Sequence, residues 1–126
     1  MIKAKMLLAF AVVLLIGCGA NEEAPSTATV AHPPASAAEV AAYGDAHALL
    51  QQHCLICHSE KPAMPGYAIA PAGVALETPE QLGRFAPRVL AVVELQMMPP
   101  LNMTSMTDAD RHTLAAVIRT QWAPGS

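Results

Sequence analysis

Two cysteines and a histidine stand close together in the segment Cys54-Leu55-Ile56-Cys57-His58. The cysteines are three positions apart, so a short helical turn presents both thiols on the same side. His58 follows directly and can point an imidazole nitrogen in the same direction. In an exported chain, this spacing is typical of covalent haem c attachment. Each thiol would then form a thioether with the porphyrin, and the imidazole would bind the iron.

Three other chemistries use the same residue types, and each matches the sequence less well. A disulfide between Cys54 and Cys57 would close a small, strained ring. A thioredoxin-like redox pair needs a βαβ context, which the sequence does not show. A zinc site would take all its ligands, the two cysteines with His53 and His58, from one crowded segment. Haem attachment is therefore the favoured interpretation.

An iron bound by His58 either has a second axial ligand or keeps an open position. Methionine closes the site and suits electron transfer, whereas an open position suits gas binding or peroxide chemistry. We predict Met98 as the ligand, because Pro99 ends the preceding helix and disfavours helical geometry at Met98. Met97 is the main rival, since it is adjacent. Packing roles are expected of two later methionines, Met103 and Met106.

The N-terminus has the pattern of a bacterial export signal with a site for a lipid. Two lysines precede an apolar segment over 6–16, which is shorter than the roughly 20 residues of a membrane span and within the range of about 7–15 for a signal peptide. Gly17 and Cys18 follow, which resembles a lipobox. We predict a signal peptide over 1–17 and a lipid on Cys18 that anchors the protein on the periplasmic side of a membrane. Gly19 favours the outer membrane.

The composition allows one small domain behind a tether. The chain has 126 residues, a net charge of −3 and 13% charged residues, which argues against a nucleic-acid binder with a basic stripe. Residues 18–37 are rich in Ala, Pro, Ser and Thr and are predicted to be a tether. The folded domain is 38–126. A haem would complete its core, which has few aromatic side chains: Tyr43, Tyr67, Phe85 and Trp122.

The spacing of apolar residues predicts a helix at each end of the domain. The first covers 38–53, and the last runs from a Thr107 cap to about Trp122. We expect the two helices to cross where Ala46 allows close approach, with Trp122 in the core. His53 is expected on the helix surface.

Between these helices, a further helical region is predicted to start at Thr78. Gln81 completes a capping box with Thr78, and Pro87 is expected to break the region into a short helix and a longer one. No segment alternates with the two-residue period of a strand. The predicted fold class is therefore all-α, with three to five helices and proline-rich loops over 59–77 and 97–106.

Residues 47–122 resemble a class I cytochrome c domain. The features that agree are the export signal, the Cys-x-x-Cys-His motif, a downstream Met-Pro and the flanking helices. Within this family, the chain is most similar to the cytochrome domain at the C-terminus of bacterial membrane-integral urate oxidases. The segments that carry this similarity are Lys61-Pro62, Pro65-Gly66, Ala70-Pro71-Ala72-Gly73-Val74, Met98-Pro99-Pro100 and Asn102-Met103-Thr104-Ser105-Met106-Thr107.

The resemblance implies a class I fold around one haem c, held by Cys54 and Cys57 with His58 and Met98 as iron ligands. Such a protein is a monomeric electron carrier without catalysis of its own. It would pass electrons between a dehydrogenase or oxidase and the respiratory chain. The chain differs from the urate oxidases in having no transmembrane catalytic region, so the resemblance implies electron transfer only and does not by itself establish a link to urate or purine oxidation. The alternative is a haem enzyme or a gas or redox sensor with an open sixth position.

The second ring nitrogen of His58 is expected to donate a hydrogen bond to a loop carbonyl, which would fix the imidazole. The family pattern places this carbonyl on a proline. Three prolines are candidates: Pro62, Pro65 and Pro71. His47 and His112 are not expected to be ligands.

Overall fold

A computed structural model describes residues 33–122. The predicted signal peptide, the lipid site at Cys18 and most of the predicted tether lie outside this range. The described residues form three α-helices: α1 (Ala37–His53), α2 (Pro79–Glu94) and α3 (Asp108–Trp122). Short 3₁₀ turns lie in the two loops, at Pro71–Gly73 and Pro100–Asn102. No strand occurs in this part of the chain, which confirms the all-α class.

Capping boxes begin α1 and α2. The Ser36 hydroxyl accepts from the amide of Glu39 at 3.3 Å, and the Glu39 carboxylate accepts from the amide of Ser36 at 2.7 Å. Thr78 and Gln81 form the box that the sequence predicts for α2. Both pairs satisfy amides that have no partner inside the helix.

The helix α2 continues through Pro87, so the predicted break is wrong. Pro87 is exposed and lacks the amide that would donate to the carbonyl of Gly83. Residues on both sides of it bury one common face against α1 and α3: Leu82, Ala86, Val89, Leu90 and Val93. Burying each large aliphatic side chain contributes about 1.5–3 kcal/mol, which outweighs the roughly 3 kcal/mol cost of an interior proline.

The core lies where α1 and α3 pack against each other and α2 packs against both. Ala46 is fully buried, as expected of a position that allows close approach. Trp122 is only partly buried at the edge of the core, where its indole donates to the Glu39 carboxylate at 3.0 Å. The largest fully buried side chains are Leu50, Leu82, Leu114 and Ile118. None of the helices in residues 33–122 is long and apolar enough to cross a membrane.

Thr107 caps α3, as the sequence predicts. Its hydroxyl accepts from the amide of Asp110 at 3.1 Å and donates to the Asp110 carboxylate at 2.6 Å. The same carboxylate accepts from the amide of Thr107 at 3.0 Å. These hydrogen bonds, first from the side chain and then from the backbone, lower the pKa of Asp110, and His53 adds a smaller attraction.

A lowered pKa at Asp110 makes the stability of the protein depend on pH. The carboxylate stabilises the folded state above the ordinary Asp pKa of about 3.9, and this contribution is lost as the pH falls through the lower folded-state pKa. We therefore expect Asp110→Ala to lower the urea midpoint near neutral pH, with a smaller difference from wild type in strong acid. Asp108→Ala is the control, because it removes a charge from the same turn. A difference that does not change with pH would contradict the prediction.

Candidate functional site

The Cys-x-x-Cys-His segment forms a tight turn directly after α1. The amide of Cys54 donates to the carbonyl of Leu50 at 2.8 Å. The amides of Cys57 and His58 both donate to the carbonyl of Cys54, at 3.1 and 2.8 Å. Both cysteines are free thiols and partly buried, so the disulfide alternative is not formed. Burial, with a smaller contribution from Cys57, raises the pKa of Cys54 to about 11.

His58 is held by the loop that follows it. Its Nδ1 lies 2.8 Å from the carbonyl oxygen of Val74, and since a carbonyl only accepts, Nδ1 carries the proton. In the neutral ring, the other nitrogen, Nε2, then carries the free lone pair and can bind a metal. The predicted loop carbonyl is therefore confirmed, but the three proline candidates are wrong. The amide of Leu76 donates back to the carbonyl of His58 at 2.8 Å, which closes the loop.

An apolar cavity lies beside this turn and has an empty volume of about 580 Å³, including the part open to solvent. Cys54, Cys57, His58 and Met98 all line it. A second cavity of about 590 Å³ is also lined by Cys54, His58 and Met98. Apolar side chains complete the walls, among them Ile56, Tyr67, Pro71, Val93 and Met106.

Of the two adjacent methionines, Met98 is the one at the cavity. Its amide donates to the carbonyl of Val92 at 3.1 Å, and its side chain is half-buried. Met97 is 61% exposed and lines neither of the two cavities. Met106 is buried in the core, as predicted, whereas Met103 is half-exposed at the cavity wall. Met98 therefore lines the same two cavities as His58, whereas Met97 lines neither.

His53 is buried, so its predicted place on the helix surface is wrong. Its Nδ1 lies 3.0 Å from the Thr104 hydroxyl. Its Nε2 lies 3.8 Å from the Asp110 carboxylate and makes no hydrogen bond. The ring also lines the first cavity. Thr104 and Asp110 are far from His53 in sequence, and they meet it only because the loop before α3 folds back over the end of α1.

The histidines and cysteines near the turn do not converge on one point. Among residues 33–122, no group of three or more His, Cys, Asp or Glu side chains is arranged to hold a metal ion. The zinc alternative is therefore not supported. His47 packs on the Tyr43 ring, with the ring centres 5.4 Å apart, and His112 is exposed on α3.

Arg111 is a buried residue of the site region that was not predicted from the sequence. It lies on α3, and its guanidinium donates to the carbonyls of Val93 and Met98 and to the side chain of Asn102. A charged residue near a helix start is usually exposed. The available signal was its spacing, because Arg111, Leu114 and Ile118 share one buried stripe.

Comparison with family models, with curated proteins and with solved structures finds no match to this chain.

Proposed function

We propose that this protein is a class I cytochrome c, which carries one haem c and transfers single electrons. One observation carries the proposal: Cys54, Cys57, His58 and Met98 line the same apolar cavity. Three of them come from the turn after α1, and Met98 comes from the distant loop between α2 and α3. The four side chains that the chemistry needs thus line one cavity.

The residues present fit a covalently bound haem. Cys54 and Cys57 are free thiols on one turn, as two thioether bonds require. His58 has Nδ1 engaged by Val74, which leaves Nε2 for iron. Met98 offers a thioether sulfur from another wall of the cavity. When bound, haem c would supply reversible one-electron chemistry, and His/Met ligation would raise its reduction potential.

The surrounding residues would set the properties of such a site. The Val74 carbonyl fixes the orientation of the His58 ring and increases its basicity as a ligand. Val93, Pro71 and Met106 make the walls apolar, which limits water and lowers the local dielectric. A fixed imidazole and apolar walls would both help the iron to keep its ligands during electron transfer.

The cellular setting follows from the N-terminal sequence and belongs to the same proposal. A lipid on Cys18 and a tether over 18–37 would hold the domain on the periplasmic side of a bacterial membrane, with the outer membrane favoured. There it would exchange electrons, as a monomer, with a dehydrogenase or a terminal oxidase. A link to urate or purine oxidation comes from the resemblance described above and from no feature of the described residues.

The test is expression of the full chain together with a cytochrome c maturation system. We expect a haem that stays with the denatured polypeptide when it is extracted with acidified organic solvent. The double variant Cys54→Ala/Cys57→Ala should release or never acquire the haem. We also expect the reduced wild-type protein to bind no carbon monoxide at neutral pH, because Met98 would occupy the sixth position.

Two results would overturn parts of this proposal separately. A wild-type protein whose haem washes out, or that has none, would exclude covalent haem c. A protein with covalent haem that binds carbon monoxide rapidly would have an open sixth position. That second result would favour the haem enzyme or the gas or redox sensor over an electron carrier.

A further inference from the structure

The loop between α2 and α3, residues 95–107, has a strained backbone. Four of its residues, none of them glycine, have φ near +50°: Gln96, Leu101, Asn102 and Ser105. Residues other than glycine rarely adopt this left-handed backbone conformation, and they do so only where the surrounding structure stabilises it. Leu101 is fully exposed, so its own side chain does not provide that hold. The loop must therefore be held from another element.

Arg111 provides this hold from inside α3. One guanidinium nitrogen donates to the carbonyl of Met98 at 2.6 Å and to the carbonyl of Val93 at 3.2 Å. The other terminal nitrogen donates to the Asn102 side-chain oxygen at 3.0 Å. The Asn102 side-chain nitrogen in turn donates to the carbonyl of Met106 at 3.0 Å. The two side chains thus bind both ends of the strained segment and the end of α2.

The chemistry of these contacts explains why the residue is arginine. Arg111 is only 7% exposed, and a buried charge is costly unless hydrogen bonds compensate it. Its three acceptors are two backbone carbonyls and an amide oxygen, which lie in different directions. A guanidinium has several donors in a fixed plane and can reach all three, whereas a lysine ammonium offers one compact group.

We propose that Arg111 is a positioning residue that holds Met98 in place as the sixth ligand of the iron. This inference rests on the proposed function. The guanidinium bonds the backbone of Met98 directly, so it fixes the point from which the thioether reaches into the cavity. Asn102 accepts from Arg111 and donates to the carbonyl of Met106, so it links the guanidinium to the C-terminal end of the loop.

The test compares Arg111→Leu with Arg119→Leu in the full chain carrying covalent haem. Arg119 is the matched control, because it lies on the same helix and also contacts α2, through an exposed ion pair with Glu94. The readouts are the thioether-to-iron charge-transfer band of the oxidised protein and carbon monoxide binding by the reduced protein. We expect Arg111→Leu to increase the fraction with Met98 dissociated by about tenfold or more, as for the loss of one hydrogen bond to a charged group.

In Arg111→Leu the charge-transfer band should therefore weaken and carbon monoxide should bind, while the thioether-linked haem is retained. Arg119→Leu should keep the wild-type spectrum. The charge-transfer band and the carbon monoxide binding of Arg111→Lys should lie between those of wild type and Arg111→Leu, because the charge remains but the planar set of N–H donors is lost. A merely structural role for Arg111 would lower stability without moving the charge-transfer band.

A normal band and no carbon monoxide binding in Arg111→Leu would overturn the inference. If Arg111→Leu yields no folded protein, the same spectra are measured on Asn102→Gly. Glycine accepts the positive φ of this position, and the substitution removes the side-chain hydrogen bonds of Asn102. A weakened band in Asn102→Gly supports the inference, and an unchanged band overturns it. A wild-type protein without haem or without the band would instead count against the proposed function.

Discussion

Met98→Ala is expected to abolish the thioether-to-iron charge-transfer band near the red end of the visible spectrum. The variant should keep its covalent haem, because the thioether sites and His58 are unchanged. Without the sulfur ligand, the reduced protein should bind carbon monoxide. The reduction potential should fall by on the order of 0.2 V, a part of the roughly 0.8 V over which axial ligands set haem potentials. Absorption spectra and a redox titration measure these effects.

Met97→Ala is the matched control for this prediction. Met97 is the adjacent residue, 61% exposed and outside the two cavities, so its removal should leave the spectrum and the potential of the wild type. A band that survives in Met98→Ala and disappears in Met97→Ala would reverse the assignment. A band that survives in both would move the ligand to another methionine at the cavity, Met103 or Met106.

Leu114→Ala is expected to cause a large loss of stability. Leu114 is completely buried in the core formed by the three helices. Replacing a buried leucine by alanine removes its transfer free energy and leaves a cavity, which together cost about 2–5 kcal/mol. Urea unfolding of the protein with covalent haem, followed by absorption and circular dichroism, measures this change in the free energy of unfolding.

Leu95→Ala makes the same chemical change at a position that is 69% exposed, just after α2. It should alter the free energy of unfolding by no more than about 0.5 kcal/mol, as is usual for surface substitutions. Equal losses in the two variants would mean that Leu114 is not packed as described. A Leu114→Ala protein that also lost its charge-transfer band would show that the core and the Met98 loop are coupled.

Local sequence patterns predicted the helices well, because caps and periodicity act over a few residues. Thr78 with Gln81 and the Thr107 cap mark helix starts through hydrogen bonds to amides within one turn. The helix break predicted at Pro87 is wrong because it, too, was inferred from local interactions alone. The loss of one local hydrogen bond is visible in the sequence, whereas the buried face that keeps α2 continuous forms only against α1 and α3.

For the candidate site, the sequence by itself determined the residue types and their spacing in the Cys54–His58 turn. It also singled out a methionine before a proline, with Met97 as a rival. These patterns depend on the geometry of one turn and on the restriction that Pro99 imposes on its neighbour. The haem that they predict remains a prediction.

Only the tertiary structure decided which groups surround that turn. It selected the Val74 carbonyl as the partner of His58, buried His53 against Thr104, and directed Arg111 at the carbonyl of Met98. Each of these contacts joins residues more than ten positions apart in the chain, where no local pattern operates. Such contacts arise because packing the three helices brings the two loops together, and burial then requires each polar group to find a partner.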